Sequence, residues 1–117
     1  MIAKLSVLFV CSMNQWRSPA AEQIYRDHPA VNPRSAGTNK GARRAVSSEL
    51  IEWADLVFVM EQKHLKRLRE QFSETMRSKP VAVLDIPDRY RYMDPELIGE
   101  LQRSVNPILE QALQGGG

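Results

Sequence analysis

Apolar residues along the chain fall into two alternating kinds of spacing. Leu5 to Val10 is an almost unbroken apolar run, as expected of a central parallel strand buried on both faces. Val31 to Ala36 is a short extended piece, Asp55 to Met60 is a buried strand rich in β-branched and aromatic residues, and Val81 to Leu84 is another apolar run. Between these runs the period lengthens to that of a helix. Ser18 is placed to cap one, with Pro19 at its first position, Ala20, Ala21, Ile24 and Tyr25 along it, and His28-Pro29 ending it. Ser47 caps the next, which runs to Ala54 with Glu49 and Glu52 near its positive end. From Gln62, Leu65, Leu68 and Phe72 share one face while Lys63, Lys66, Arg67 and Arg69 point elsewhere, and Arg77 to Pro80 breaks the chain. Asp94-Pro95 opens the last helix, whose stripe holds Ile98, Leu101, Val105, Ile108 and Leu109. Pro107 is expected to kink that helix or start a fresh segment. Gly37-Thr38 reads as a turn, Asn39 to Arg44 as an exposed basic loop, and Gly115 to Gly117 as a frayed end or cloning remnant.

Strands alternating with helices predict an α/β fold. The expected form is a three-layer sandwich, a four-stranded parallel sheet with helices on both faces and right-handed crossovers. With 117 residues the chain is read as one domain, residues 1 to 117, able to bury a core without staples. Ligands of such folds sit beyond the carboxyl ends of the strands. The loop after Val10 and the segment after Leu84 both lie there.

Composition narrows the classes further. Apolar residues at 43% and charged residues at 26% are ordinary globular values, and a net charge of +2 implies no polyanionic partner. The basic run Lys63 to Arg69 lacks interleaved aromatics, so nucleic-acid binding is not expected. One cysteine excludes an internal disulfide and any multi-cysteine zinc site, and suits a reducing compartment. The apolar run after Met1 to Lys4 is too short for a signal peptide, and nothing approaches the roughly 20 residues of a membrane span. The chain is therefore read as soluble and cytoplasmic, with no membrane partner.

Candidate chemistry centres on that cysteine. Cys11 ends the first strand, and Arg17 follows after five intervening residues, just where a helix opens. Backbone amides turned inward by such a loop, together with a helix N-terminus, attract a dianion and favour a thiolate. A lone cysteine at a strand end is by itself more often a core residue than a nucleophile. Arg17 changes that balance: it would be left unpaired at a partly buried junction, whereas a phosphate offers its planar fork two bonds. Ser18 can donate to the thiolate, and Asn14 can take left-handed backbone angles and tie the loop together. Phosphoryl transfer to sulfur also needs an acid for the leaving oxygen. Asp85, Asp88 and Asp94 are available, and Asp94 is explained as a helix cap. Asp88, lying near Tyr90 and Tyr92 as an apolar wall for an aromatic leaving group, is favoured over Asp85. His28 and His64 read as surface residues, and Trp53 as core.

On these residues the chain resembles the low-molecular-weight protein tyrosine phosphatases over most of its length. Val7-Leu-Phe-Val-Cys11, Asn14, Arg17-Ser-Pro19 and Ala21-Glu22 match that family's phosphate loop and first helix. Ser35-Ala-Gly-Thr38 and Ala54 to Met60 match later strands, and Ile86-Pro-Asp88 resembles the segment carrying the family's general acid. The resemblance implies a phosphate-binding loop of Ser12, Met13, Asn14, Gln15, Trp16, Arg17 and Ser18. It also implies Cys11, Arg17 and Asp88 as catalytic residues, a phosphocysteine intermediate, and no metal or cofactor. The implied substrate is a phosphorylated protein or small aryl phosphate, and the implied assembly a monomer or weak dimer. The chain departs from the family at Met13, usually glycine, at Trp16, often a second cysteine, and at Arg89, usually proline. Its stretch from Thr38 to Ser47 is short, leaving an open rim beside Lys40, Arg43 and Arg44 that suits an acidic or large substrate. The alternatives are a phosphate- or phosphopeptide-binding module with little turnover, an arsenate reductase-like protein using an external thiol, and, more remotely, a phosphocysteine carrier.

Overall fold

The computed structural model describes residues 4–115; Met1 to Ala3, at the start of the segment weighed as a leader, and Gly116-Gly117 lie outside the described residues. In order along the chain come β1 (Leu5–Cys11), α1 (Arg17–Tyr25), β2 (Val31–Gly37), α2 (Ser48–Trp53), β3 (Leu56–Val59), α3 (Gln62–Gln71), α4 (Ser73–Met76), β4 (Val81–Val83) and α5 (Pro95–Gly115). The strands form one sheet in the order β2-β1-β3-β4, and every pair is parallel. All four carboxyl ends therefore point the same way, and Cys11 closes β1 opposite Gly37 of β2.

Side chains alternate across β1, and this alternation divides the core in two. Val7, Phe9 and Cys11 face one layer with Phe58, Ala20 and Ala21 of α1, and Leu97, Leu101, Val105 and Leu109 of α5. Leu8 and Val10 face the other, with Val57, Val59, Ile51 of α2, Leu65 and Leu68 of α3, and Met76 of α4. This is the expected three-layer sandwich. Phe9 stacks on Phe58 at 5.2 Å and on Tyr25 at 5.9 Å, locking the central strands to α1. Pro33 is tolerated because β2 is an edge strand.

The ends of the elements follow the local signals with three exceptions. Ser47 Oγ accepts from Leu50 N, and Asp94 Oδ1 accepts from Glu96 N, as caps should. Ser18 does not cap α1: the helix starts two residues earlier than expected, at Arg17 after Trp16, with no side-chain cap, and the Ser18 hydroxyl sits beside Cys11 Sγ instead. A short turn of helix, α4, follows a bend at Phe72 where no helix was expected. Pro107 starts no new segment, and α5 runs through it as one helix. Pro107 and Arg103, whose carbonyl it leaves unpaired, are both exposed, so water can serve that group, while buried Val105 and Leu109 hold the helix on the sheet.

Candidate active site

The loop leaving β1 is built by fixing its carbonyls elsewhere. The oxygens of Cys11, Ser12 and Met13 accept the amides of Thr38 at 2.9 Å, Asn39 at 3.0 Å and Arg43 at 3.1 Å, and the Asn14 oxygen accepts Arg43 Nε at 3.0 Å. The basic loop is thus an external clamp, which its polar sequence does not disclose. The amides from Ser12 to Trp16 donate to no protein acceptor among the described residues. Five consecutive free donors beside a sulfur atom make an anion-binding ring. Gly37 allows the close approach, since a Cβ there would lie 2.5 Å from the Ser12 oxygen and 3.0 Å from Asn14 N.

Asn14 sits at φ 55 inside the turn, as its residue type suggested, and is fully buried. Its Nδ2 donates to Ser18 Oγ at 2.8 Å and Ser35 Oγ at 3.0 Å. Ser18 Oγ lies 2.9 Å from Cys11 Sγ. The Ala36 carbonyl lies 3.4 Å from Ser18 Oγ, farther than the sulfur, so with Asn14 filling an acceptor site the serine proton can turn to a thiolate at 2.9 Å as the shorter bond. The Asn14 Oδ1 atom has no partner among the described residues, an expense of about 1–3 kcal/mol that the loop retains.

Arg17 is buried but not unpaired, which corrects the expectation that it has only a phosphate to meet. Its Nη1 donates to Glu61 Oε1 and to the Ile86 carbonyl at 2.9 Å. Nε and Nη2, the fork on the other edge, make no hydrogen bond among the described residues, and Nε lies 3.7 Å from Asp88 Oδ1. Glu61, two residues after β3, was missed by sequence reading. Desolvation pushes its carboxyl upward, but the Arg17 hydrogen bond and charge, helped by Lys63, outweigh this and hold it below the usual carboxylate range. Glu61→Gln leaves a buried guanidinium without its counter-charge. The expected outcome is a stability loss of about 1–3 kcal/mol in urea melts, with weaker inhibition by phosphate as the fork loses its anchor.

His64 also corrects the sequence reading: it is buried, not on the surface. Glu61 N donates to its Nδ1 at 3.0 Å, so Nε2 carries the proton and donates to Ser12 Oγ at 2.9 Å. Burial, then repulsion from Arg17, lowers the His64 pKa from 6.5 to about 4, with Glu61 partly opposing. The unfolded chain therefore takes up this proton first. The His64 contribution is complete above about pH 6.5 and is lost as the pH falls toward 4; Glu61, depressed from 4.5, adds a loss of the same sign lower down. Stability should fall by up to about 3 kcal/mol over that window, and His64→Gln should flatten the fall when urea midpoints are compared.

Cys11, Ser12, Met13, Gln15, Trp16, Arg17 and Asp88 line one pocket of about 50 Å³, a volume that suits a group the size of a phosphoryl. Asp88 stands at the mouth, 55% exposed. Asp85 instead lines a separate cleft with Glu61, Lys63 and Pro87. Tyr90 is not a wall: it is 4% exposed and part of the core, with Arg89 over its ring. Tyr92 is 48% exposed and lines a neighbouring cleft, and Trp16, 44% exposed, borders both that cleft and the pocket. Trp53 is half-buried under Arg34, and His28 Nδ1 accepts from Ala30 N at 3.0 Å.

No protein-family model matches the chain. The low molecular weight protein-tyrosine-phosphatase Wzb of Escherichia coli K12 is 33% identical over 116 aligned residues, covering 74% of this chain and 78% of the relative. The crystal structure of the tyrosine phosphatase Wzb from Escherichia coli K30 in complex with phosphate aligns with a TM-score of 0.74 at 26% identity, covering 91% of this chain and 96% of that one. The YwlE arginine phosphatase from Geobacillus stearothermophilus, at 21% identity and a TM-score of 0.69 over 94% and 96% of the two chains, shares the fold.

Proposed function

Since the chain belongs to the low-molecular-weight protein-tyrosine-phosphatase family, we propose that it hydrolyses phosphotyrosine or other aryl phosphate monoesters through a phosphocysteine intermediate. The observation that carries this reading is the set of five unpaired amides, Ser12 to Trp16, around a pocket that contains Cys11 and admits little more than a phosphoryl group. Cys11 Sγ attacks phosphorus in line with the leaving oxygen. The amides and the free Nε and Nη2 fork of Arg17 hold the three non-bridging oxygens as charge redistributes. Asp88 passes its proton to the leaving phenol, then takes one from the water that hydrolyses the S–P bond and releases phosphate and the thiolate. The bound phosphoryl group takes over the Arg17 fork from Asp88, freeing the acid for this work.

An aryl leaving group is favoured by the apolar lining, since Trp16 and Met13 border the pocket and offer a ring surfaces to rest against. Fold alone does not choose the leaving group, since a tyrosine phosphatase and an arginine phosphatase share it. The test is steady-state hydrolysis of para-nitrophenyl phosphate with vanadate as inhibitor. Turnover competitively blocked by vanadate is expected. Vanadate binding without phosphate release would make the chain a binding module instead.

A further inference from the structure

A second cleft opens beside the Cys11 pocket and shares Gln15 and Trp16 with it. Its volume is about 450 Å³, against about 50 Å³ for the pocket, and Arg43, Arg26, Glu22 and Tyr92 complete its working surface. Trp16 and Tyr92 are two of the three large hydrophobic side chains exposed among the described residues, and both fall here. An extended substrate whose phosphoryl group fills the small pocket has this cleft as a continuation for its neighbouring residues.

The charges in the cleft do not cancel. Glu22 is engaged, accepting from Ser35 Oγ and lying 4.0 Å from Arg26 Nη2. Arg43 has no carboxylate within ion-pairing distance among the described residues. Its Nε is fixed to the Asn14 carbonyl at 3.0 Å, so the guanidinium is already held at the rim while Nη1 and Nη2 have no acceptor among the described residues. A pre-ordered arginine loses less entropy on pairing than a free one, and its planar fork fits a carboxylate or phosphate.

We propose that this cleft is a substrate subsite for an anionic group carried next to the phosphorylated residue. Arg43 is its specificity-determining cation, and Trp16 and Tyr92 hold the intervening chain. The proposal rests on the phosphatase reading and names the substrate class for it: phosphorylated segments with an adjacent carboxylate or a second phosphate. Either source presents the same paired oxygens to the guanidinium.

The test compares kcat/KM for phosphotyrosine peptides that differ only at the adjacent residue, which is glutamate, alanine or phosphoserine. Para-nitrophenyl phosphate serves as the substrate with no neighbour. Wild type should prefer glutamate to alanine by about three- to fivefold, the upper part of the range for an exposed ion pair because Arg43 is already held in place. The phosphoserine arm shows which source is favoured, and a preference for either over alanine supports the subsite. Arg43→Gln should bring the ratio to one, and Arg43→Glu should invert it. Because each ratio is taken within one variant, a general loss from breaking the bond to Asn14 cancels. Para-nitrophenyl phosphate turnover with a wild-type ratio of one overturns the subsite, and a preference that survives Arg43→Gln removes Arg43 from it. Loss of turnover on every substrate is instead the failure of the phosphatase reading, and the subsite falls with it.

Discussion

Serine in place of Cys11 should abolish phosphate release from para-nitrophenyl phosphate, by about 10⁴-fold or more, the scale on which removal of a nucleophile acts. The reason lies in what surrounds the sulfur. Its hydrogen-bond neighbour is Ser18 Oγ at 2.9 Å, a donor that suits an anion and offers no base to a hydroxyl. A serine hydroxyl is a much weaker acid than a thiol and stays protonated there. The loop amides and the Arg17 fork do not depend on the sulfur, so the variant should still bind vanadate, read as a rise in Tm with added oxyanion. Residual turnover above about one per cent of wild type would mean that another group attacks phosphorus.

Asp88→Asn should lower kcat by about 10²- to 10⁴-fold on phosphotyrosine, the usual worth of a positioned acid. The loss should be smaller on para-nitrophenyl phosphate, whose leaving group departs as a stable anion and needs less protonation. Asp85→Asn should leave both rates unchanged. Asp85 is exposed, opens onto a different cleft, and sits at φ 57, where asparagine is tolerated equally well. A steep loss in Asp85→Asn with an active Asp88→Asn would move the acid by three residues. The contrast between substrates separates an acid from a residue that merely shapes the mouth, since shape would affect both alike.

Much of the fold was legible because it is written in local periods. The apolar runs of β1 and β3 appear where their spacing placed them, and so does the α5 stripe from Leu101 on, but in the first turn Leu97 is buried where Ile98 was expected. Asn14 in a left-handed turn, and Cys11 and Arg17 on one loop, were legible for the same reason: five residues of chain cannot separate them far. Residues whose partners are distant in sequence were misread. Tyr90 looked like a wall beside Asp88 and is core; Ser18, seven residues from Cys11, bonds the thiol as expected and only its capping role fails. His64, on a basic helix, turned out to be the partner of Ser12, 52 positions away. A capping pattern at Glu61 and His64 was present in the chain, but nothing local tells which loop it will face.

By itself, the sequence determined the kind of layers, the strand that ends in Cys11 and the turn that follows it, because hydrophobic period and turn preference act within a few residues. The tertiary structure alone decided that Glu61 anchors Arg17 across 44 positions and that Arg43 reaches the same loop from outside, and it set Asp88, already favoured on sequence, against the Cys11 pocket. The physical reason is the parallel order β2-β1-β3-β4, which brings every strand's carboxyl end to one edge. Polar side chains from separate crossovers meet there, and a periodic pattern reports that a face is buried but not what it is buried against.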